Sequence, residues 1–72
     1  MPQENNIHLS VIIPVYNEEK YLNKLFNDLK KFFDNKNIEI IFIDDGSTDG
    51  STKLLNNFKL KREYVFSLKV IR

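Results

Sequence analysis

The chain has 72 residues and a mass of 8.6 kDa, which is enough for one small domain or part of one and excludes a multi-domain enzyme. Its content of 42% hydrophobic and 29% charged residues is typical of a folded globular protein. The net charge of +1 offers no bulk attraction to nucleic acid, an anionic membrane or an acidic substrate. With no cysteine and one histidine, the sequence excludes a disulfide framework, a thiolate metal site and a histidine cluster.

The N-terminal segment is polar and has neither the charged nor the apolar part of a secretory signal. No apolar run approaches the ~20 residues that a membrane-spanning helix needs. We therefore predict a cytoplasmic chain with a polar tail over residues 1–8 and a folded part over residues 9–72.

Three apolar, β-branched segments alternate with two segments of helical periodicity. The predicted strands cover residues 9–16, 38–43 and 64–71, and the predicted helices cover residues 18–33 and 51–58. Crossovers of about twenty residues between consecutive strands require parallel βαβ pairing. The sequence thus predicts an α/β fold with a three-layer-type parallel sheet. The β-α-β-α-β order corresponds to half of such a domain, so we expect the chain to be a fragment.

The two helical patterns also predict details of packing and capping. In the first helix, the aromatic stripe that includes Phe26, Phe32 and Phe33 is expected in the core. For the second helix, Ser47 or Thr48 is the expected N-cap, and Asp49 is expected in the first turn, where the helix dipole favours negative charge.

Polar side chains cluster after the first two predicted strands. Residues 14–18 follow the first strand and residues 44–47 follow the second, so parallel pairing brings both clusters to the same edge of the sheet. The two clusters together supply a tyrosine ring, an amide and several carboxylates. Carboxylates accept hydrogen bonds from base N–H groups and ribose hydroxyls, and an aromatic ring offers a flat surface to a base, so the combination suits a nucleoside. Phosphate-binding glycine motifs are absent from the sequence.

Both clusters lie within longer motifs. Residues 10–19 read SVIIPVYNEE, residues 40–51 read IIFIDDGSTDGS, and residues 69–72 read KVIR. At this spacing the sequence closely resembles the N-terminal part of family 2 glycosyltransferases, which have the GT-A fold and include the polyprenyl-phosphate sugar synthases. The resemblance covers nearly everything from Leu9 onward.

The resemblance implies a site for a nucleotide-diphospho-sugar donor. In the family, the positions that match Pro14, Tyr16, Glu18, Ile43 and Asp45 line the nucleoside pocket, and the aspartate matching Asp45 reaches the base. The family's D-x-D motif, which binds Mg²⁺ or Mn²⁺, its catalytic base and its acceptor site lie downstream of the matched segment. We therefore expect this chain alone to bind part of a donor without transferring sugar, and membrane association only through regions beyond it.

Two other families share features of the second cluster but do not fit the sequence, and one further alternative stays open. Asp45, Ser47, Asp49 and Gly50 fit the first positions of an EF-hand loop, but Asn56 stands where a bidentate glutamate is needed. A phospho-receiver domain also has an acidic pair after a strand, but in that family the pair follows the first strand. A third alternative is a non-catalytic remnant that serves as an interaction module.

The expected topology has a consequence for the surface. If the strands lie in the order 3-2-1 with right-handed crossovers, both helices pack on one face of the sheet. The other face is then bare and rich in isoleucine, and we expect it to favour self-association or contact with a partner chain.

Overall fold

The computed structural model describes residues 7–72, so most of the predicted polar tail at residues 1–8 lies outside the described residues. The five predicted elements are confirmed in type and order. They are β1 (Leu9–Val15), α1 (Glu19–Phe32), β2 (Ile38–Asp44), α2 (Ser51–Lys61) and β3 (Ser67–Ile71). The differences lie at element ends: β2 includes Asp44, α2 continues to Lys61, and β3 begins at Ser67 rather than Tyr64.

The three strands form one parallel sheet in the order β1-β2-β3, as predicted. Leu9 pairs with Ile38 at one end of β1, and Val15 pairs with Asp44 at the other. Strands β1 and β2 therefore end together, and the loops that follow them begin side by side. The described residues form an α/β sheet with two of the three predicted layers, since α1 and α2 both pack on one face.

The core lies between the sheet and this pair of helices. Alternate residues of β2, Ile40 and Phe42, are fully buried, as the period of two in a strand requires. The rings of Phe26 on α1 and Phe58 on α2 stack with centroids 4.1 Å apart, and this contact joins the two helices. The remaining buried apolar side chains of the core are Val15, Leu22, Leu29, Leu55, Phe66 and Leu68.

One prediction about the core is wrong. Phe26 is buried and Phe33 packs against the core, but Phe32 is 81% exposed. Leu22, Phe26 and Leu29 make up the buried stripe of α1, and its continuation at a step of four is Phe33. Phe32 is the last residue of the helix and lies beside that stripe, in solvent.

The predicted capping of α2 is also wrong. The helix begins at Ser51, so Gly50 is its N-cap and makes no side-chain cap bond, while Ser47 and Thr48 lie in the preceding loop. Asp49 precedes the helix rather than lying in its first turn, although its Oδ1 accepts a hydrogen bond of 2.9 Å from the Ser51 N–H. The two hydroxyl side chains bind the neighbouring loop instead.

The face of the sheet opposite the helices, which we call the outer face, combines polar and apolar side chains. No helix of residues 7–72 packs on it. Near the amino-terminal end of the strands, Glu39 accepts a hydrogen bond of 2.9 Å from the adjacent Ser10. Glu39 also forms an ion pair of 2.8 Å with Lys69, which pairs with Ile41 in the sheet register. These contacts lower the pKa of Glu39, with the Lys69 hydrogen bond as the largest cause. Nearer the carboxyl ends the outer face is apolar, with Ile12, Pro14, Ile41, Ile43 and Ile71.

Candidate functional site

The candidate site is the rim formed by the carboxyl ends of β1 and β2 and the loops that follow them. We define the rim as the β1–α1 loop, residues 16–18, together with the β2–α2 loop, residues 45–50. The parallel ladder continues one step beyond the strands, because the Asp45 N–H donates to the Val15 carbonyl at 2.9 Å. The two loops are thus held side by side from their first residues.

Three of the predicted site residues present exposed side chains on this rim. Tyr16 is 57% exposed, and Glu18 and Asp45 are also exposed. The side-chain hydrogen bonds and ion pairs found within residues 7–72 involve none of these three side chains. An aromatic ring and two carboxylates are therefore available to a ligand at this rim.

The other two predicted site residues lie on the outer face. Pro14 pairs with Ile43 in the sheet register, one position before the strand ends. Pro14 is exposed and Ile43 is half-buried. Because side chains alternate across a strand, both project from the side opposite the helices. They place an apolar surface directly beside the polar rim.

The aspartate doublet is divided between two roles. Asp44 is 2% exposed, because it continues the inward series of Ile40 and Phe42, whereas Asp45 faces solvent. Asp44 Oδ1 accepts a hydrogen bond of 3.0 Å from the Ser47 N–H, and Oδ2 accepts one from the Thr52 hydroxyl. The exposed Arg72 lies farther away, with its Nε 3.9 Å from Oδ2.

These contacts set the ionisation of Asp44. The Thr52 hydroxyl is the largest cause that lowers the pKa of the Asp44 carboxyl; burial opposes it, and the contacts with Ser47 and Arg72 lower it further. The buried carboxylate is ionised and accepts from both the β2–α2 loop and the first turn of α2. Asp44 is therefore a structural residue, and Asp45 is the member of the doublet that can contact a ligand.

Asn17 joins the two loops. Its backbone lies in the left-handed region at a φ of 50°, and its N–H donates to Ser47 Oγ at 3.1 Å. Its side-chain Oδ1 accepts from the N–H groups of Thr48 and Asp49 at 2.8 and 3.3 Å, and its Nδ2 donates to Thr48 Oγ1 at 3.3 Å. The amide that the sequence places in the predicted ligand cluster is therefore the principal connection across the rim.

A second set of hydrogen bonds joins the beginnings of the two helices. The Glu18 N–H donates to the fully buried Ser51 Oγ at 2.9 Å, and the Glu19 N–H donates to Asp49 Oδ2 at 3.3 Å. In return, Glu19 Oε1 accepts from the Gly50 N–H at 3.0 Å. A Cβ at Gly50 would collide with the Glu19 carboxylate, so glycine permits this close approach.

Several residues that build the rim are absent from the predicted site. The period of two in β2 is a sequence signal that could have separated the inward Asp44 from the outward Asp45. By contrast, the partners of Asn17 and Ser51 lie about thirty residues away in the chain, and no local pattern identifies them.

The carboxylates of the described residues do not form a metal site. No group of three or more His, Cys, Asp or Glu side chains within residues 7–72 could hold a metal ion. The EF-hand alternative is wrong for a structural reason. Both Asp49 oxygens accept backbone N–H groups, and Asn56, at the twelfth position, lies inside α2. Mg²⁺ or Mn²⁺ therefore does not fit the residues present, and no chemical step is assigned to it.

Comparison with known proteins identifies the family of the chain. Residues 10–72 match Glycosyl transferase family 2, and the chain belongs to this family. The family assignment confirms the resemblance identified in the two motifs and replaces the phospho-receiver alternative.

Individual relatives match over the same region. The chain is 43% identical over 61 residues to a dolichyl-phosphate beta-glucosyltransferase of Dictyostelium discoideum, a match that covers 75% of this chain and 19% of the relative. It is 48% identical over 61 residues to an uncharacterized glycosyltransferase of Haemophilus influenzae, covering 81% of this chain and 24% of the relative. It is 49% identical over 51 residues to an undecaprenyl-phosphate 4-deoxy-4-formamido-L-arabinose transferase of Aeromonas hydrophila. That match covers 68% of this chain and 16% of the relative.

The chain thus spans a quarter or less of the length of these relatives. No solved structure matches it. Among the described residues, no helix is long and apolar enough to cross a membrane.

Proposed function

We propose that this chain is the nucleotide-sugar-binding N-terminal segment of a glycosyltransferase that moves a sugar from a nucleotide-diphospho-sugar to an acceptor, and that by itself it binds the donor's nucleoside without transferring sugar. One observation carries the proposal. The register that pairs Pro14 with Ile43 ends both strands at the rim, where Tyr16, Glu18 and Asp45 are exposed.

Each of these residues has a role that follows from its chemistry. The Tyr16 ring offers a stacking surface to the base, and Pro14 with Ile43 forms an apolar contact beside it. The Asp45 carboxylate accepts a base N–H, and the Glu18 carboxylate accepts ribose hydroxyls in charge-assisted hydrogen bonds.

The sign of the charge at the rim favours a nucleoside over a phosphate. Glu18, Glu19, Asp45 and Asp49 are all acidic and lie on the two loops or at the start of α1. Carboxylates repel a diphosphate unless a cation lies between them, and no cation site is formed by the described residues. Binding of a free nucleoside diphosphate is therefore expected to be weak and to depend on the base and ribose.

The test is a titration of the ¹⁵N-labelled chain with UDP and with GDP, followed by amide chemical shifts. We expect one of the two nucleotides to shift the signals of Tyr16, Glu18 and Asp45 in a saturable way. Asp45→Ala should weaken binding about ten- to a hundredfold, since a hydrogen bond to a charged group contributes about 1.5–3 kcal/mol.

The matched control is Asp34→Ala, which removes an exposed carboxylate at the opposite end of the sheet and should leave affinity unchanged. Asp44→Ala also should weaken binding less than Asp45→Ala, but it is a poor control because Asp44 stabilises the loop. Unmoved rim signals in a folded sample would contradict the proposal and favour a non-catalytic interaction module.

A further inference from the structure

We propose that Asn17 is a positioning residue whose side-chain amide holds the rim in its binding conformation before a ligand arrives. This inference rests on the proposed function of the rim. Asn17 lies between Tyr16 and Glu18, two of the residues proposed to contact the nucleoside, and its own side chain is bonded to the opposite loop.

The hydrogen bonds of Asn17 are distributed so that they fix both loops. Its Oδ1 accepts two consecutive N–H groups, those of Thr48 and Asp49, and its Nδ2 donates to the Thr48 hydroxyl. Its backbone N–H donates to Ser47 Oγ, and the Ser47 N–H in turn donates to the buried Asp44. Asn17 is therefore connected to the core of the sheet through a residue of the other loop.

The backbone conformation supports the same inference. Asn17 has a φ of 50°, a region that is unfavourable for most L-residues but is tolerated by asparagine. The left-handed turn brings the side-chain amide to the β2–α2 loop and leaves Tyr16 and Glu18 exposed on either side. A residue chosen only for a turn would not need an amide that accepts and donates across the rim.

The Asn17 connection is distinct from the one between the helices. Ser51, Asp49 and Glu19 hold the N-termini of α1 and α2 together, so they fix the helices even when Asn17 is replaced. The specific contribution of Asn17 is to the loop between the end of β2 and Gly50. Its loss should loosen the rim while the sheet and helices remain folded.

The physical consequence is a change in binding free energy without a change in direct contacts. A rim that is ordered in the free chain does not lose that conformational freedom on binding, whereas a loosened rim must be ordered by the ligand. We expect the free-energy cost of ordering the two short loops on binding to lower the affinity about tenfold.

The test variant is Asn17→Gly, because glycine accepts the positive φ and lacks the side-chain amide; since glycine also frees the backbone, Asn17→Asp below is the variant that isolates the role of the side chain. We expect ¹⁵N order parameters at Tyr16, Glu18 and Asp45 to fall, and affinity for whichever of UDP and GDP binds the wild-type chain to fall about tenfold. The matched control is Asn35→Gly at the opposite end of the sheet, where the Asn35 side chain accepts the Asn37 N–H at 2.8 Å. It should reduce stability to a similar extent without changing affinity.

Asn17→Asp provides a rescue that a general loss of stability would not give. Aspartate tolerates the left-handed backbone and keeps an oxygen for the Thr48 and Asp49 N–H groups. It should retain rim order and bind the free nucleoside, which lacks phosphate charge, within about threefold of the wild-type chain. If the order parameters at the rim of the Asp variant fall well below those of the wild type, the inference is overturned. This outcome stays decisive even if the Gly variant does not fold.

The outcomes separate this inference from the proposed function. Unchanged order parameters in Asn17→Gly, or unchanged affinity of that variant for a nucleotide that the wild type binds, would overturn the positioning role. If the wild-type chain binds neither nucleotide, the proposed function fails, and the order parameters alone decide whether Asn17 holds the rim.

Discussion

Replacement of Asp44 tests the assignment of the doublet most directly, because the structure makes this carboxylate a buried acceptor rather than a ligand contact. Asp44→Ala removes the acceptor for the Ser47 N–H and for the Thr52 hydroxyl, and both donors lie in partly buried surroundings. A hydrogen bond whose loss leaves a buried donor unsatisfied costs about 1–3 kcal/mol. Because both donors are only partly buried, we expect a total loss of about 2–4 kcal/mol. A chain of this length is expected to have a free energy of unfolding of about 4–11 kcal/mol, so the loss is a large fraction of it.

The same carboxylate predicts how stability depends on pH. Its pKa in the folded chain is lowered, chiefly by the Thr52 hydroxyl, below the ~3.9 of an unfolded aspartate. The stabilisation is therefore complete above about pH 5 and is lost as the pH falls through the folded-state pKa. Asp44→Asn cannot ionise, so its stability should fall less between pH 5 and pH 3 than that of the wild type.

Urea unfolding followed by circular dichroism at pH 7, 5 and 3 measures both effects. Asp34→Asn makes the same change of charge at an exposed position and should stay within about 0.5 kcal/mol of the wild type at pH 7. Because the pKa values of Glu39 and Asp49 are also lowered, the informative quantity is the difference between the wild type and Asp44→Asn. An Asp44→Ala variant as stable as Asp34→Asn would refute the structural role.

Two further predictions concern the core and the outer face. Phe58→Ala should destabilise the chain by about 3–5 kcal/mol, because it removes the ring that stacks on Phe26. Phe32→Ala, at the exposed end of α1, should change the free energy of unfolding by less than about 0.5 kcal/mol. Urea unfolding of both variants checks this contrast. The apolar part of the outer face, where Ile12 is 61% exposed beside Ile41, should bind a hydrophobic dye and favour self-association. Ile12→Lys should reduce dye fluorescence and shift the sedimentation distribution toward monomer, and a wild-type chain that stays monomeric without dye uptake would contradict this expectation.

The elements, their order and the edge of the sheet that carries the candidate site were predictable from the amino-acid sequence. Apolar runs of period two and a helical stripe through Leu22, Phe26 and Leu29 are local signals, since each depends on residues a few positions apart. Parallel pairing followed from the length of the crossovers, and it brought the residues after β1 and β2 together. The family was also identifiable from sequence, because the two motifs contain enough specific residues at a fixed spacing.

The use of the rim side chains depends on long-range packing. The period of two in β2 places Asp44 and Asp45 on opposite faces of the sheet, but the position of the helices determines that Asp44 is buried and Asp45 is exposed. The sequence likewise offers the Asn17 amide to a ligand, whereas in the structure its partners come from a loop about thirty residues away. The packing of the helices on Asp44 and the hydrogen bonds of Asn17 join residues distant in the chain, so their free energy depends on the folded arrangement and leaves no local pattern in the sequence.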